Sequence, residues 1–430
     1  MIFSQRQIKL LIGALVVLVV FGVILLLGYR SPGASEIKLV FWSVYDKPDA
    51  FEGLIARFAQ ETGMKVEFVG KNPETYEQEL VDALAAGRGP DILAINNAWL
   101  LKHEGKLYPA PAAVIAGRDL QDFYPDVVAR DFVRSGYVYG VPLSIDTLAL
   151  FYNQDALDQA GIVFPPKTWE ELSTQVPRLA KISKSGIVER AAVALGTSNN
   201  VAHAPDTLAL LMMQLGSSMV DVERSRVNFH EMYSGQSTGA EALQFYTRFA
   251  EVRDRLFTWS RDFPRSVDAF SQGEVVMIFG YARDIPAIRE KAAYLDFRVA
   301  PMLQPAASKD RVDYAHYWGY GVARTSRHPL EAWRFIGWVT DLEQARVYMR
   351  KANRPPARKE LIREVLDERI LGVFAKQSLV AQSWYQPDPS GVASVFRTMI
   401  DEVNLNRATP EDAVKRGADQ INLLFQKFSP

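Results

Sequence analysis

Between Ile37 and Ile95 short apolar stretches alternate between two periods, and this alternation constrains the fold more than any other feature. Ile37–Trp42 (IKLVFW) reads as a buried strand. Phe51, Leu54, Ile55 and Phe58 then recur at i, i+3, i+4 and i+7, one face of an amphipathic helix, and Gly63 supplies a stop. Val66 and Phe68 alternate in a second strand, Lys65–Val69. A helix over Tyr76–Ala86 buries Leu80 and Leu84 and stops at Gly87, and Asp91–Ile95 (DILAI) forms a third strand. Strands and helices joined by short connections require right-handed crossovers, which predicts a largely parallel sheet covered by helices.

A second group of strands follows: Tyr137–Val141, Leu148–Tyr152, Val275–Phe279, Phe297–Ala300 and Tyr320–Ala323. Thr168 opens a helix with Glu171 three residues on, a capping box. From Pro329 onward the pattern is mostly helical, and Thr409-Pro410-Glu411 starts the last helix with an N-cap, proline at the first position and an acid in the first turn. One sheet cannot use strands in this order. Two α/β lobes with several crossings can, and a ligand then sits in the cleft between them. The expected division is lobe I over 37–150 and 276–325, and lobe II over 151–275 and 326–430.

Leu10–Tyr29 is a run of twenty residues without a charge. At about 1.5 Å per residue it reaches roughly 30 Å, the thickness of a hydrocarbon core. Arg6 and Lys9 precede it and Arg30 follows, which predicts residues 1–9 in the cytoplasm, 10–29 across the membrane, 30–36 as linker and the body outside. A cleaved signal peptide, with an apolar region of about 7–15 residues, is the alternative. The chain has no cysteine, so disulfides, thiolate zinc sites and a cysteine nucleophile are excluded. A net charge of −1, from 49 basic and 50 acidic residues, argues against nucleic acid as a partner. His103, His203, His230, His316 and His328 are scattered without metal-ligand spacing. Ala85–Asp91 lacks the lysine of a phosphate loop, and no Gly-x-Ser-x-Gly elbow occurs, so neither a cofactor nor a catalytic residue is expected.

Five stretches in order resemble the family 1 extracellular solute-binding proteins of ABC transporters, the maltose-binding-protein-like group. They are Tyr76…Leu80…Leu84-Ala85-Ala86-Gly87…Pro90-Asp91-Ile92; Tyr139-Gly140-Val141-Pro142 with Leu148–Asn153; Thr168-Trp169-Glu170-Glu171-Leu172; Phe270–Met277; and Gly319–Ala323 with Ala332, Trp333 and Phe335. The resemblance implies a two-lobed periplasmic-binding-protein-like fold of type II, here preceded by one transmembrane helix. It also implies a solute buried by lobe closure and delivered to an ABC permease. A membrane helix departs from the lipidated cysteine usual in the family. That departure opens a second role, a tethered sensory or interaction module, and an anchored glycosidase is a third.

Loops at the carboxyl ends of strands supply binding groups in such sheets. Sugar rings stack on aromatics, and their hydroxyls need buried partners. This selects Trp42 and Tyr45 after the first strand, Asn96, Asn97 and Trp99 after the third, and Ser144 and Asp146 on the first crossing. Tyr281 follows Gly280, and Trp318 and Tyr320 flank Gly319. By family position the Asn96–Trp99 loop, Asp146 and Tyr281 match places that touch ligand. Trp99→Ala and Asp146→Ala are expected to weaken binding and leave the free protein's melting unchanged. A sugar or oligosaccharide is the favoured solute; a cation held in a cage of Trp42, Tyr45, Trp99 and Tyr281 is the alternative.

Overall fold

The structure, a computed structural model, describes residues 37–221, 226–232 and 237–428. The expected membrane anchor Leu10–Tyr29 and its linker lie outside the described residues. Among the described residues no helix is long and apolar enough to cross a membrane.

The first lobe begins with β1 (Lys38–Val44), α1 (Asp49–Thr62), β2 (Lys65–Lys71), α2 (Tyr76–Ala85) and β3 (Ile92–Asn96), close to the order read from the sequence. Gly63 ends α1 in the left-handed conformation, φ 73°, as a C-terminal glycine should. Two short helices, α3 (Leu100–His103) and α4 (Asp126–Phe132), flank β4 (Leu107–Tyr108), and β5 (Val141–Ser144) leads out of the lobe. The second lobe holds β6 (Ala149–Asn153), α5 (Trp169–Leu179), β7 (Lys181–Ile182), β8 (Val188–Val193), α6 (Ala204–Gln214), α7 (Thr238–Thr247), β9 (Val275–Gly280) and β10 (Phe297–Ala300). Thr168 caps α5 by accepting the Glu171 N–H at 3.1 Å, while Glu171 reaches back to the Lys167 N–H at 2.7 Å.

After β11 (Asp313–Tyr314) the chain returns to the first sheet as β12 (Trp318–Ala323), followed by α8 (Pro329–Val339) and α9 (Leu342–Ala352). It then crosses back at β13 (Ala381–Gln382) and ends in α10 (Pro389–Asn404) and α11 (Pro410–Phe428). The first sheet has the order β2-β1-β3-β12-β4, with β5 also paired to β12; the second runs β10-β6-β9-β8-β7. β1 is parallel to β2 and β3, but β12 lies antiparallel against β3, β4 and β5. The largely parallel sheet of the sequence reading is therefore a mixed one, because a strand returning from the other lobe is inserted between β3 and β4.

The same insertion corrects the expected lobe boundaries. Residues 276–300 belong to the second sheet and not to lobe I, and α8 and α9 pack on the first core through Trp333, Phe335 and Tyr348 and not on lobe II, while α10 and α11 pack on the second core. A helix that directly follows a strand packs back on that strand's sheet, so α8 and α9 follow β12 into lobe I. Phe41 of β1 stands at the centre of that core, with ring centroids of Tyr320, Phe51, Phe68 and Phe335 at 4.9, 5.1, 5.4 and 5.8 Å.

Three crossings lie side by side as a hinge. Ile145 belongs to the first core and Leu148 to the second; Tyr314 to the second and Ala315 to the first; Ala381 to the first and Trp384 to the second. The Leu148 N–H donates to the Tyr314 carbonyl at 2.9 Å, the His316 N–H to Asp146 at 3.0 Å, and the Ala315 N–H to Gln382 at 2.9 Å. Close approach beside this ribbon needs glycine: a Cβ on Gly321 would sit 2.5 Å from the Tyr139 carbonyl oxygen. Gly321→Ala is expected to cost about 1–3 kcal/mol by forcing β12 away from the strand feeding the first crossing. Urea unfolding of the full-length chain reads this as a lower midpoint.

Candidate functional site: the cleft between the lobes

Three chambers run in series along the interlobe cleft. A narrow one of about 30 Å³ is lined by Tyr45, Asp46, Ser144, Asp146, Arg283, His316, Trp318 and Tyr320 among others. A second, of about 110 Å³, shares His316 and adds Asn96 from lobe I with Asp206, Tyr314, Trp384 and Gln386. The third, about 960 Å³, shares Ala98 and Trp384 with the second and opens between Asn97, Arg130, Asp131 and Arg134 of lobe I and Met213 and Gly216–Val220 of lobe II.

The floor is a set of buried carboxylates held by protein donors. Asp46 accepts the hydroxyls of Tyr320 and Tyr348, each at 2.7 Å, and of Ser43 at 3.0 Å, with the Arg354 guanidinium 3.5 Å away. Burial, reinforced by the Asp46 charge, pushes both tyrosines well above the usual phenol range, so they stay donors. Arg354 also donates to the Tyr45 carbonyl, which helps hold Tyr45 at φ 63°. Asp146 accepts three backbone N–H groups: Ala282 at 2.8 Å, Arg283 at 3.0 Å and Thr147 at 3.1 Å. Burial raises its carboxyl, against the pull of the Arg283 guanidinium. Asp284 accepts from His203 and from the Tyr281 N–H, both at 2.8 Å. Burial alone would raise its carboxyl, but His203, Arg283 and that N–H overcome it and hold the group at about 2.

His316 forms the wall between the two inner chambers. The Asn96 carboxamide next to it is oriented by the Ala98 N–H on Oδ1 at 3.0 Å and by its own Nδ2 donating to the Tyr317 carbonyl at 3.2 Å. Nδ2 therefore also donates to His316 Nε2, at 3.3 Å. Burial, then the charge on Arg283, pushes the imidazole down to about 3, so it is neutral and its proton sits on Nδ1. That Nδ1–H is shielded from solvent and meets no acceptor within hydrogen-bond distance among the described residues, and neither does the indole N–H of Trp318. A shielded donor without an acceptor costs about 1–3 kcal/mol, so both favour a ligand that brings acceptors.

The structure brings Tyr45, Ser144, Asp146, Trp318 and Tyr320 to the narrow chamber, Asn96 to the middle one and Asn97 to the wide one. Three expected residues line none of these chambers. Trp42 carries the Lys71 ammonium on its ring face, 3.8 Å from the centroid. Trp99 is only 7% exposed, stacked on Tyr76 at 6.1 Å and edge-on to Trp318 at 4.8 Å, so it supports the wall rather than facing the cleft. Loss of that packing is expected to make Trp99→Ala lower the melting temperature, where loop position alone leads to the expectation of unchanged melting. Tyr281 is fully buried, donates to Asp206 at 2.7 Å and packs edge-on against His203 at 4.6 Å. The proposed cation cage does not assemble, because the protein's own Arg283 guanidinium lies 3.8 Å from the Tyr281 ring and 5.5 Å from that of Tyr45.

Sequence reasoning missed His316, Asp206, Arg283 and Asp131. His316 and Asp131 stand among residues with no motif around them. Arg283 lies two residues beyond the selected Tyr281, and Asp206 stands in the first turn of α6, where an acid is ordinary helix chemistry.

The profile of the family described as bacterial extracellular solute-binding protein matches residues 53–367. The chain belongs to this family. Membership places the body of this solute-binding protein outside the cytoplasm. A Brucella abortus chain known as a binding protein is 20% identical over 408 residues, 92% of this chain and 95% of that one. The maltodextrin-binding protein of Bacillus subtilis is 29% identical over 170 residues, 36% of each. Among solved structures, an ABC transporter solute-binding protein from Thermotoga lettingae, bound with α-D-tagatose, matches with TM-score 0.74 at 21% identity, covering 91% of this chain and 100% of that one. At that identity the likeness establishes the two-lobed α/β fold of the solute-binding protein.

Two buried carboxyls give the cleft a pH signature. Asp131 accepts from Tyr317 at 2.8 Å, from Asn97 at 3.0 Å and from Ser383, yet burial outweighs these donors and raises it to about 6. Burial likewise raises Asp313, beneath Arg311, to about 6. A carboxyl raised in the folded state binds its proton more tightly than in the unfolded chain. Stability from these groups is therefore fully present below about pH 4 and declines as pH rises through about 6. Asp284 has the opposite sign, its contribution being present above about pH 4 and lost as pH falls towards 2. Asp131→Asn is expected to flatten the decline between about pH 4 and 6, worth about 2 kcal/mol, in urea melts of the full-length chain.

Proposed function

We propose that this protein is the extracytoplasmic receptor of an ABC transporter, capturing a sugar or oligosaccharide between its lobes and presenting it to a permease. The observation that carries the reading is the neutral His316 imidazole, whose Nδ1–H meets no acceptor among the described residues and lies between chambers that also hold aromatic faces and carboxylates. A sugar hydroxyl both accepts and donates, so it satisfies such a donor while giving its own proton to a neighbouring acceptor such as Asp206. The names of the relatives, a maltodextrin-binding and a tagatose-bound protein, point to the same class. Arg283 between Tyr45 and Tyr281 disfavours the cationic solute, because it already fills that position.

The reading is not that of an enzyme. A general acid must be free to give its proton to substrate, whereas Asp46, Asp131 and Asp146 are each engaged by three protein donors. The uncharged run Leu10–Tyr29 serves in this reading as a single-pass anchor, keeping the receptor beside its permease at high effective concentration.

Thermal-shift titration of the full-length chain with maltodextrins, galactooligosaccharides, monosaccharides and quaternary amines tests the proposal. Sugars are expected to raise the melting temperature, and His316→Ala to weaken the best of them roughly tenfold. Stabilisation by quaternary amines alone would contradict the sugar reading.

A further inference from the structure

Lys102, at the end of α3 in lobe I, faces two carboxylates from opposite lobes. Its ammonium lies 2.9 Å from Glu77 of α2 and 2.7 Å from Asp388, the residue that opens α10 in lobe II. All three side chains are four-fifths buried, with 18, 19 and 18% exposed. Glu77 is fixed independently: His103 Nε2 is 2.8 Å from its carboxylate, and the Lys106 ammonium is 3.2 Å from His103 Nδ1. Lys106 can only donate, so Nδ1 accepts and Nε2–H donates to Glu77. Leu101, next to Lys102, packs against the core of lobe II although its helix belongs to lobe I. Farther along the same rim Arg134 donates to the Tyr385 hydroxyl at 3.1 Å.

We propose that Lys102–Asp388 is a closure latch, an ion pair made only when the lobes meet, which sets how long a solute stays enclosed. The latch is asymmetric. When the lobes part, Lys102 keeps Glu77, held by His103 in its own lobe, and Asp388 alone loses its partner. Closing therefore costs lobe I little reorganisation, and the attraction is gained at the last step of closure, where it slows opening more than it speeds closing. The proposal rests on the cleft being a closing receptor site, but not on which solute fills it.

The chain has no cysteine, so Tyr137→Cys in lobe I and Tyr294→Cys in lobe II, at positions 56% and 102% exposed, give two unique labelling sites. Single-molecule energy transfer on the full-length chain, with no sugar added, reads the ratio of closed to open lobes. Asp388→Asn and Lys102→Gln are each expected to lower that ratio roughly three- to tenfold, and the double variant to lower it no further. Raising salt from about 0.05 M to about 1 M should reduce it in the parent and leave the variants nearly unchanged. Asparagine remains a good N-cap, so Asp388→Asn should preserve α10, and an unchanged far-ultraviolet spectrum verifies it. An unchanged distance distribution in a folded Asp388→Asn, or independent and additive losses from the two substitutions, would overturn the latch. Failure of every sugar to bind would contradict the proposed function and leave this test intact.

Discussion

Asp146 sits where the chain first leaves lobe I, and its carboxylate accepts N–H groups from both sides of the hinge. Thr147 is its neighbour on the crossing; Ala282 and Arg283 follow the central strand of lobe II. Its own carbonyl accepts the His316 N–H, and Arg283 donates to the His316 carbonyl at 3.1 Å. One acid thus ties the first crossing, the second crossing and lobe II together, and sets the position of His316 in the cleft. Replacing a buried acceptor of this kind strands three N–H donors, each costly to leave unpaired. The expectation that Asp146 is a simple ligand contact, removable without effect on melting, gives way to a role in holding the hinge.

The chemistry of the cleft follows from that frame. Carboxylates are engaged by the protein, tyrosine hydroxyls are kept protonated by burial, and the imidazole is kept neutral. The donors that remain for a solute include His316 Nδ1–H and Trp318 Nε1–H, both uncharged and beside aromatic surface. Such a set suits a neutral polyhydroxylated molecule and gives little to an ion. At the rim a charged pair joins the two lobes, Lys102 with Asp388 at 2.7 Å. There it acts on the movement of lobes rather than on recognition.

Local signals made much of this legible. The period-3.6 face of Phe51, Leu54 and Phe58, the stop at Gly63 and the cap at Thr168 all appear in the structure within a residue or two. Long-range pairing was not legible. Nothing in Tyr320–Ala323 says that the strand enters antiparallel between β3 and β4, and the assignment of α8 and α9 to lobe I depends on that pairing. The site divides in the same way. Loop position found Tyr45, Ser144, Trp318 and Asn96, but aromatic character could not separate Trp318, in the cleft wall, from Trp99, packed behind it. His316 was passed over because a single histidine carries no local pattern; its role comes from Asn96, 220 residues away, fixing its tautomer.

Hydrogen–deuterium exchange of the full-length chain, with and without the best-binding oligosaccharide, tests closure of this cleft over a sugar most directly. Protection is expected together in the Asn96–Trp99 loop of lobe I, the Asp146–Leu148 and Tyr314–Trp318 crossings, and the Tyr281–Asp284 turn of lobe II. Protection of one lobe alone, or only at surfaces away from the hinge, would contradict capture between two closing lobes.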